Sequence, residues 1–395
     1  MSISSSPQGP SAGPSREGAH PLHLQTDRKD TLWELQSHTA AKHTLYKKYL
    51  DAWYPIMLQS STRDGPTWSR ITYVDAFAGP GEYEDGQGGS PVFALDRLLH
   101  HDAAARMSLS RERMRLIFTE NRRDRFEHLK AVLAARFGPE GELPVSVTAR
   151  RADAGSVAEV LTEAGAWGHP ILAVFDSWGN VNVPLHTLRR FATNRASEVI
   201  VTFGPNWFNR REDLNTDILD GVFGGRAYWE HANREVRPEE RWRTWLAAYR
   251  GALRRIGFRY VLHFEVRPGS GLPLYLVYGT GHEKGVEVMK EAMWDVDGND
   301  GMSFRDPRTR GGQSVGQMTL WSAADVPQDE LLDLVTQRIE AGPVSMESLR
   351  TWLLTETARW RRSDAGKAIR YLRDNGKVKV SPAGRVMGSS ILSLC

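Results

Sequence analysis

The stretch RITYVDAFAGPGEYEDGQGGSPVFAL, from Arg70 to Leu95, constrains this chain more than any other. An apolar run ends on the acid Asp75, two close glycines follow at Gly79 and Gly81, and an apolar pattern resumes behind Ser90 and Pro91. Strand, glycine turn and helix in that order bring bare backbone and a helix N-terminus toward a ligand. Phosphate is the usual guest of such a turn. The dinucleotide fingerprint, however, needs a third glycine three residues after the second, where Glu84 stands, and the Gly-Lys-Ser/Thr of a P-loop is absent. Asp75, Glu82, Glu84 and Asp85 make the loop acidic, which repels pyrophosphate and suits a cationic ligand.

Short apolar runs and amphipathic segments alternate around this unit. The pattern predicts strands near Ile71 to Phe77, Leu116 to Thr119, Val145 to Thr148, Ile171 to Phe175 and Val199 to Phe203. Helices are predicted between them, over Pro91 to His100, Asp124 to Arg136, Ser156 to Ala164 and Leu185 to Thr193. Such alternation implies a parallel sheet with right-handed crossovers. An earlier helix is predicted from Thr39 to Leu58, with Leu45, Tyr49, Ala52, Trp53 and Ile56 at helical spacing and Pro55 kinking or ending its last turn. Residues 205–240 read as an irregular insertion over one edge of the site, followed by a helix from Arg241 to Ile256. FRYVLHFEV and LPLYLVYGT, separated by a short Pro-Gly-Ser-Gly turn, read as an antiparallel hairpin. Five parallel strands followed by a hairpin describe a Rossmann-like class I methyltransferase sheet better than a dehydrogenase sheet.

The chain therefore divides into a disordered Ser/Pro/Gly-rich leader over 1–30, an α/β unit over 31–325, and a C-terminal unit over 326–395. In the last unit three helical patterns precede GKVKVSPAGRVMGSSILSL, a two-stranded wing, which gives a winged-helix-like module. The only cysteine among 395 residues is Cys395, so thiolate zinc clusters, protein-ligated iron–sulfur clusters and disulfide frameworks within the chain are excluded. A reducing cytoplasm is the expected location, with no membrane, since no apolar run approaches the roughly 20 residues a bilayer needs. A net charge of +3 permits a nucleic-acid partner without demanding one.

DAFAGPG resembles the first motif of S-adenosylmethionine-dependent methyltransferases. The resemblance implies that Gly79 and Gly81 lie against the methionyl part of that cofactor and that Asp75 faces its ammonium group; Phe77 belongs to the same set. Glu120, at the end of the second strand, is placed for the ribose hydroxyls, its rival reading being a solvated helix start. Asp153 follows the third strand, where an acid accepts from the adenine amino group or caps a helix. After the fourth strand, Asp176 is placed to orient or deprotonate a methyl acceptor, Trp178 to stack on a planar one or simply to pack, and Asn180 to hydrogen-bond it. No metal is called for.

Together, KHTLYKKYLDAW (Lys42 to Trp53), YVDAFAGPGEYEDGQGGSP (Tyr73 to Pro91), VFDSWG (Val174 to Gly179), EVIVTF (Glu198 to Phe203) and YLVYGTGHEKGVEVMKEAMW (Tyr275 to Trp294) resemble the three-Cys-motif partner (TcmP) family of bacteria. That resemblance implies a methyltransferase-like core and a separately encoded protein bearing three cysteines, of the radical S-adenosylmethionine kind. The chain departs from the family at Ser177, where proline usually follows the acid. Methyl transfer to a nucleic acid or nucleoside is the leading expectation. Its rivals are a non-catalytic docking or regulatory partner, and a DNA-binding regulator acting through the C-terminal unit.

Overall fold

The computed structural model describes residues 30–61, 65–66, 68–177, 183–205, 216–234, 237–268, 272–297, 300–305 and 327–395. Its centre is a sheet of eight strands: β1 (Ile71–Asp75), β2 (Met114–Glu120), β3 (Ser146–Arg151), β4 (Ile171–Phe175), β5 (Glu198–Phe203), β6 (Tyr260–Arg267), β7 (Leu274–Thr280) and β8 (Ser303–Arg305). They lie in the order β3-β2-β1-β4-β5-β7-β6-β8. The pairs among β1 to β5 are parallel, whereas β7 runs antiparallel to both β5 and β6. A seventh strand inserted antiparallel between the fifth and sixth is the class I methyltransferase arrangement. β8, parallel to β6, extends the edge beyond it and was not anticipated from sequence.

The strands read as unbroken apolar runs because both faces are covered. Along β1, Ile71 and Tyr73 enter one core while Val74 enters the other; along β4, Leu172 and Val174 face the first, and Ile171, Ala173 and Phe175 the second. The first core is closed by α1 (Ser37–Leu58), α2 (Ser90–Leu99), α3 (Arg123–Phe137) and, later in the chain, α8 (Glu283–Val296). The second is closed by α4 (Val157–Glu163), α5 (Leu185–Thr193), α6 (Thr216–Phe223) and α7 (Pro238–Arg255). Between 205 and 240 the described residues are thus partly helical rather than irregular.

Pro55 lies inside α1 and does not end it. A proline there removes the donor that the Asp51 carbonyl would have met. His101 replaces it: its Nδ1 accepts from the Ala103 amide at 2.9 Å, which leaves Nε2 to donate to the Asp51 oxygen at 2.9 Å.

Beyond the sheet, α9 (Asp329–Glu340), β9 (Val344–Ser345), α10 (Met346–Glu356), α11 (Arg362–Asp374), β10 (Val378–Ser381) and β11 (Ile391–Leu394) enclose a separate core around Val335, Met346, Leu349, Ile369 and Leu392. Their strands pair antiparallel in the order β9-β11-β10. The leader expected over 1–30 falls, apart from Asp30, outside the described residues. Among the described residues no helix is long and apolar enough to cross a membrane.

Candidate functional site

Strand order reverses between β1 and β4, so the loops leaving their C-terminal ends part and open a crevice. Trp33, Thr39, Lys42, His43, Phe77 to Tyr83, Ser90, Glu120, Asn121, Arg125 and Asp176 line it. Of the residues singled out in the sequence, Phe77, Gly79, Gly81, Glu120 and Asp176 line this one crevice.

The glycine turn is shaped by its backbone. Gly79 and Gly81 adopt φ of 64° and 90°, left-handed values that cost a side chain free energy. The loop then folds back on itself, the Gly89 amide donating to the Gly81 carbonyl at 2.7 Å and the Tyr83 amide to the Gln87 carbonyl at 2.9 Å. Of the loop acids, Glu82 is already engaged by Arg136 at 2.8 Å.

Asp75 is fully buried behind the wall made by Phe77 and Ser90 and does not itself line the crevice. Its Oδ1 accepts from the Phe77 amide at 3.1 Å, while Oδ2 has no hydrogen-bond partner. Burial pushes the carboxyl up to about 6, against the Ser90 hydroxyl and the Phe77 amide; Asp176 and Glu120 push it the same way. Glu120 accepts from the Gly79 amide at 3.1 Å and from the Arg122 amide at 2.8 Å, which ties the end of β2 to the glycine turn. Burial raises it too, opposed by the Arg122 amide and the Arg125 guanidinium.

Asp176 meets the residues that sequence reasoning missed. Oδ1 accepts from Lys42 Nζ at 2.6 Å and Thr202 Oγ1 at 2.5 Å, and Oδ2 accepts from Lys42 Nζ at 2.8 Å and the Tyr46 hydroxyl at 3.1 Å. A carboxylate offers about four acceptor positions, and all are filled. Burial pushes Asp176 up, but the Lys42 ammonium and its hydrogen bonds outweigh that and hold it below the usual carboxylate range. Beside it, burial and the Lys42 charge press His43 down to about 3, so its ring is neutral where it meets the Tyr83 hydroxyl at 3.2 Å.

One wall comes from ahead of α1. The Trp33 indole lies over Gly79, with a Cβ built there 3.5 Å from the ring, and carries the Arg125 guanidinium 4.8 Å from its centroid. Its carbonyl accepts from the Glu84 amide at 3.2 Å. Helical phase was the available signal for Lys42. It stands three and four residues ahead of Leu45 and Tyr46, on the buried face of α1, a position where lysine needs a partner. Trp33 lies in no periodic segment and left no comparable mark.

Asp153 is not among the lining residues. It caps a turn instead, Oδ1 accepting from the Ser156 amide at 3.0 Å and its hydroxyl at 3.2 Å. Trp178 and Asn180 lie outside the described residues. Among the described residues no cluster of His, Cys, Asp and Glu is arranged to hold a metal ion.

No family model matches the chain, and no curated protein matches it. Among solved structures, it is similar to EvdMO1 (16% identity, TM-score 0.31, 61% of this chain) but spans only 42% of that protein's length. It is similar to the N-terminal domain of EvdMO1 with SAH bound (18% identity, TM-score 0.31), covering 60% of this chain and 81% of the other. A third likeness is to Trm1 from Pyrococcus horikoshii in complex with S-adenosyl-L-methionine (11% identity, TM-score 0.36), over 93% and 94% of the two chains. Strand order and direction define the fold of this chain.

Proposed function

We propose that the protein binds S-adenosylmethionine in the crevice between β1 and β4 and transfers its methyl group. One observation carries this reading: two carboxylates, Asp75 and Glu120, close adjacent parallel strands around a left-handed glycine turn at the switch point of a sheet with an antiparallel seventh strand. Such a cradle disfavours phosphate and suits a ligand with an ammonium group and vicinal hydroxyls.

The residues present fit that ligand. Asp75 keeps an orphan buried oxygen that a nearby cation would stabilise, and Glu120 retains acceptor capacity beside the turn. Gly79 leaves space between backbone and Trp33 that a side chain would narrow. When bound, the cofactor supplies an electrophilic methyl group on a sulfonium. The protein's own contribution is then alignment of acceptor and methyl, which needs positioning more than acid–base chemistry. Asp176, with every acceptor position occupied, serves best as the residue that fixes Lys42 at the acceptor end, and the Lys42 ammonium as a donor to an acceptor oxygen or ring nitrogen.

The finer expectations extend this proposal. The resemblance of several sequence blocks to three-Cys-motif partner proteins is what favours a separately encoded three-cysteine partner, and this chain's one thiol, the exposed Cys395, would leave any cysteine chemistry to such a partner. A nucleic acid or nucleoside is the acceptor class we favour.

Thermal unfolding tests the ligand class. S-adenosylhomocysteine at a hundred times its Kd adds about 2.7 kcal/mol and raises Tm by several degrees, whereas ATP and NAD leave it unmoved. Equal stabilisation by ATP would turn the crevice into a phosphate site and end this reading.

A further inference from the structure

The three-helix unit beyond residue 327 carries a charge separation that the crevice does not use. Its first helix, α9, exposes Asp329, Glu330, Asp333 and Glu340. From 362 to the end of the chain the balance reverses, with seven Lys and Arg against two Asp. Both acids are accounted for. Asp364 is buried, bound to the Arg361 guanidinium at 2.9 Å and to its amide at 2.9 Å, and Asp374 is bound to Arg373 at 3.0 Å. Lys367 and Arg370 on α11, Lys377 just ahead of β10, Lys379 on it, and Arg385 near the tip of the hairpin are all exposed, and among the described residues none meets a carboxylate.

The two helix cations share one side because α11 spends its other side on the core, and Lys377 and Lys379, two apart along an extended stretch with Val378 buried between them, share a face of their own. Ala365, Ala368, Ile369 and Leu372 are buried, which turns Lys367 and Arg370, three apart, outward together. Ser363, Asn375 and Ser381 are exposed along the same elements and add neutral donors. The core of a protein-docking patch is apolar and poor in charge, which does not describe α11, where no large apolar residue is exposed; Met387, Ile391 and Leu394 are exposed on and just before the second strand of the hairpin, not on the stretch that carries Lys377 and Lys379. Cations on a helix and on an adjacent hairpin, with small polar residues between, fit two neighbouring stretches of phosphate backbone.

The unit is also fastened to the sheet. Lys290 of α8, fully buried, donates to the carbonyls of Leu353, Leu354, Thr357 and Trp360 at 2.8 to 3.2 Å, which satisfies the C-terminal end of α10. Trp294 Nε1 donates to the Arg359 carbonyl at 2.8 Å, and Arg361 lies over the Trp294 ring while bridging to Glu291 at 3.0 Å. A ligand held by the basic face is therefore held in a set orientation to the sheet that carries the crevice.

We infer that α11 and the neighbouring stretch from Lys377 through β10 form a binding surface for the phosphate backbone of duplex nucleic acid. The inference stands on charge placement and holds whether or not the crevice transfers methyl groups.

The test uses the full chain and a fluorescein-labelled 24-base-pair DNA duplex, its RNA equivalent and polyglutamate, followed by anisotropy from 50 to 200 mM salt. Four phosphate contacts predict a fall in duplex affinity of about 10²-fold across that range, and Arg370→Ala should flatten the logarithmic salt slope by about one unit. The Lys367→Ala, Arg370→Ala, Lys377→Ala, Lys379→Ala quadruple variant should lose most of the binding, while Asp329→Ala with Asp333→Ala should not weaken it. Should the quadruple variant fail to fold, the slope of the single Arg370 variant decides. No duplex binding at 50 mM salt, a slope unchanged by Arg370→Ala, or polyglutamate bound as tightly as duplex would overturn the inference.

Discussion

Asp75 lies behind the crevice wall, close enough in the proposed reading for its charge to act on a bound cation. Burial holds its carboxyl near 6, so below that pH the free protein carries a proton that a bound ammonium group would expel. Affinity for S-adenosylmethionine should therefore be flat above about pH 7 and fall by up to tenfold per unit below about 6. Asp75→Asn should bind more weakly and lose the pH dependence; calorimetry at pH 5, 6, 7 and 8 distinguishes these outcomes. Asp176 makes a different prediction. Asp176→Asn leaves the Lys42 ammonium buried without its counter-charge, a loss on the order of 3 to 5 kcal/mol of stability that Lys42→Met combined with Asp176→Leu should largely recover. If single and double variants unfold alike in urea, the pair is not coupled. Acid should act through both His43 and Asp176. The histidine is pressed below its unfolded pKa, so its own contribution is full above about 6.5 and declines by about 1.4 kcal/mol per unit as pH falls toward 3; His263 of β6, also pressed down to about 3 by burial, adds a like loss, and Asp75, raised to about 6, an opposing gain between about 6 and 4. Asp176, also depressed, adds its loss only as pH drops below the unfolded carboxylate pKa, through its lower folded value.

At the scale of elements, α1, β5, β7 and α8 meet around one buried carboxylate. Glu198 accepts from the hydroxyls of Tyr49 at 2.5 Å, Tyr278 at 2.8 Å and Thr280 at 2.8 Å, and Gly285 of α8 packs directly on that cluster. A Cβ at 285 would stand 2.4 Å from both Glu198 Oε1 and the Tyr278 hydroxyl, so Gly285→Ala should destabilise by about 1 to 3 kcal/mol despite alanine's better helix propensity. A chemical-denaturation midpoint at or above wild type would mean that the network gives way freely. Elements were the most legible level of this chain. Parallel strands buried on both faces announce themselves as apolar runs, and the glycine turn is marked by chemistry that few other structures need. What sequence could not supply were partners. Nothing local in KHTLYKKYLDAW says that Lys42 reaches a carboxylate 134 residues away, nor that the donor lost at Pro55 is replaced by His101. Asp153 shows the converse, a residue in register for a ligand but with its carboxylate used as a cap by the amide and hydroxyl of Ser156, three residues on.

Across the whole molecule, Lys290 joins the sheet unit to the C-terminal unit by supplying donors that the end of α10 lacks. Lys290→Met keeps the stem and removes the donors, leaving buried carbonyls without partners; a loss of about 3 kcal/mol or more is expected. Hydrogen exchange should then rise over 346–361 before it rises in β1 or β4, and uniform protection would show that the unit is fastened elsewhere. On the proposed reading, the same fastening would hold a nucleic acid bound by the basic face of α11 in a fixed orientation to the crevice. The central claim remains the ligand of that crevice. Calorimetric titration of the full chain with S-adenosylmethionine, beside the Glu120→Ala variant, tests it most directly. One molecule should bind per chain, and Glu120→Ala should weaken binding by about 1 to 3 kcal/mol, since the carboxylate is a charged hydrogen-bonding group at the crevice wall. Absence of heat with the wild-type protein, or an affinity that Glu120→Ala leaves unchanged, would contradict the account.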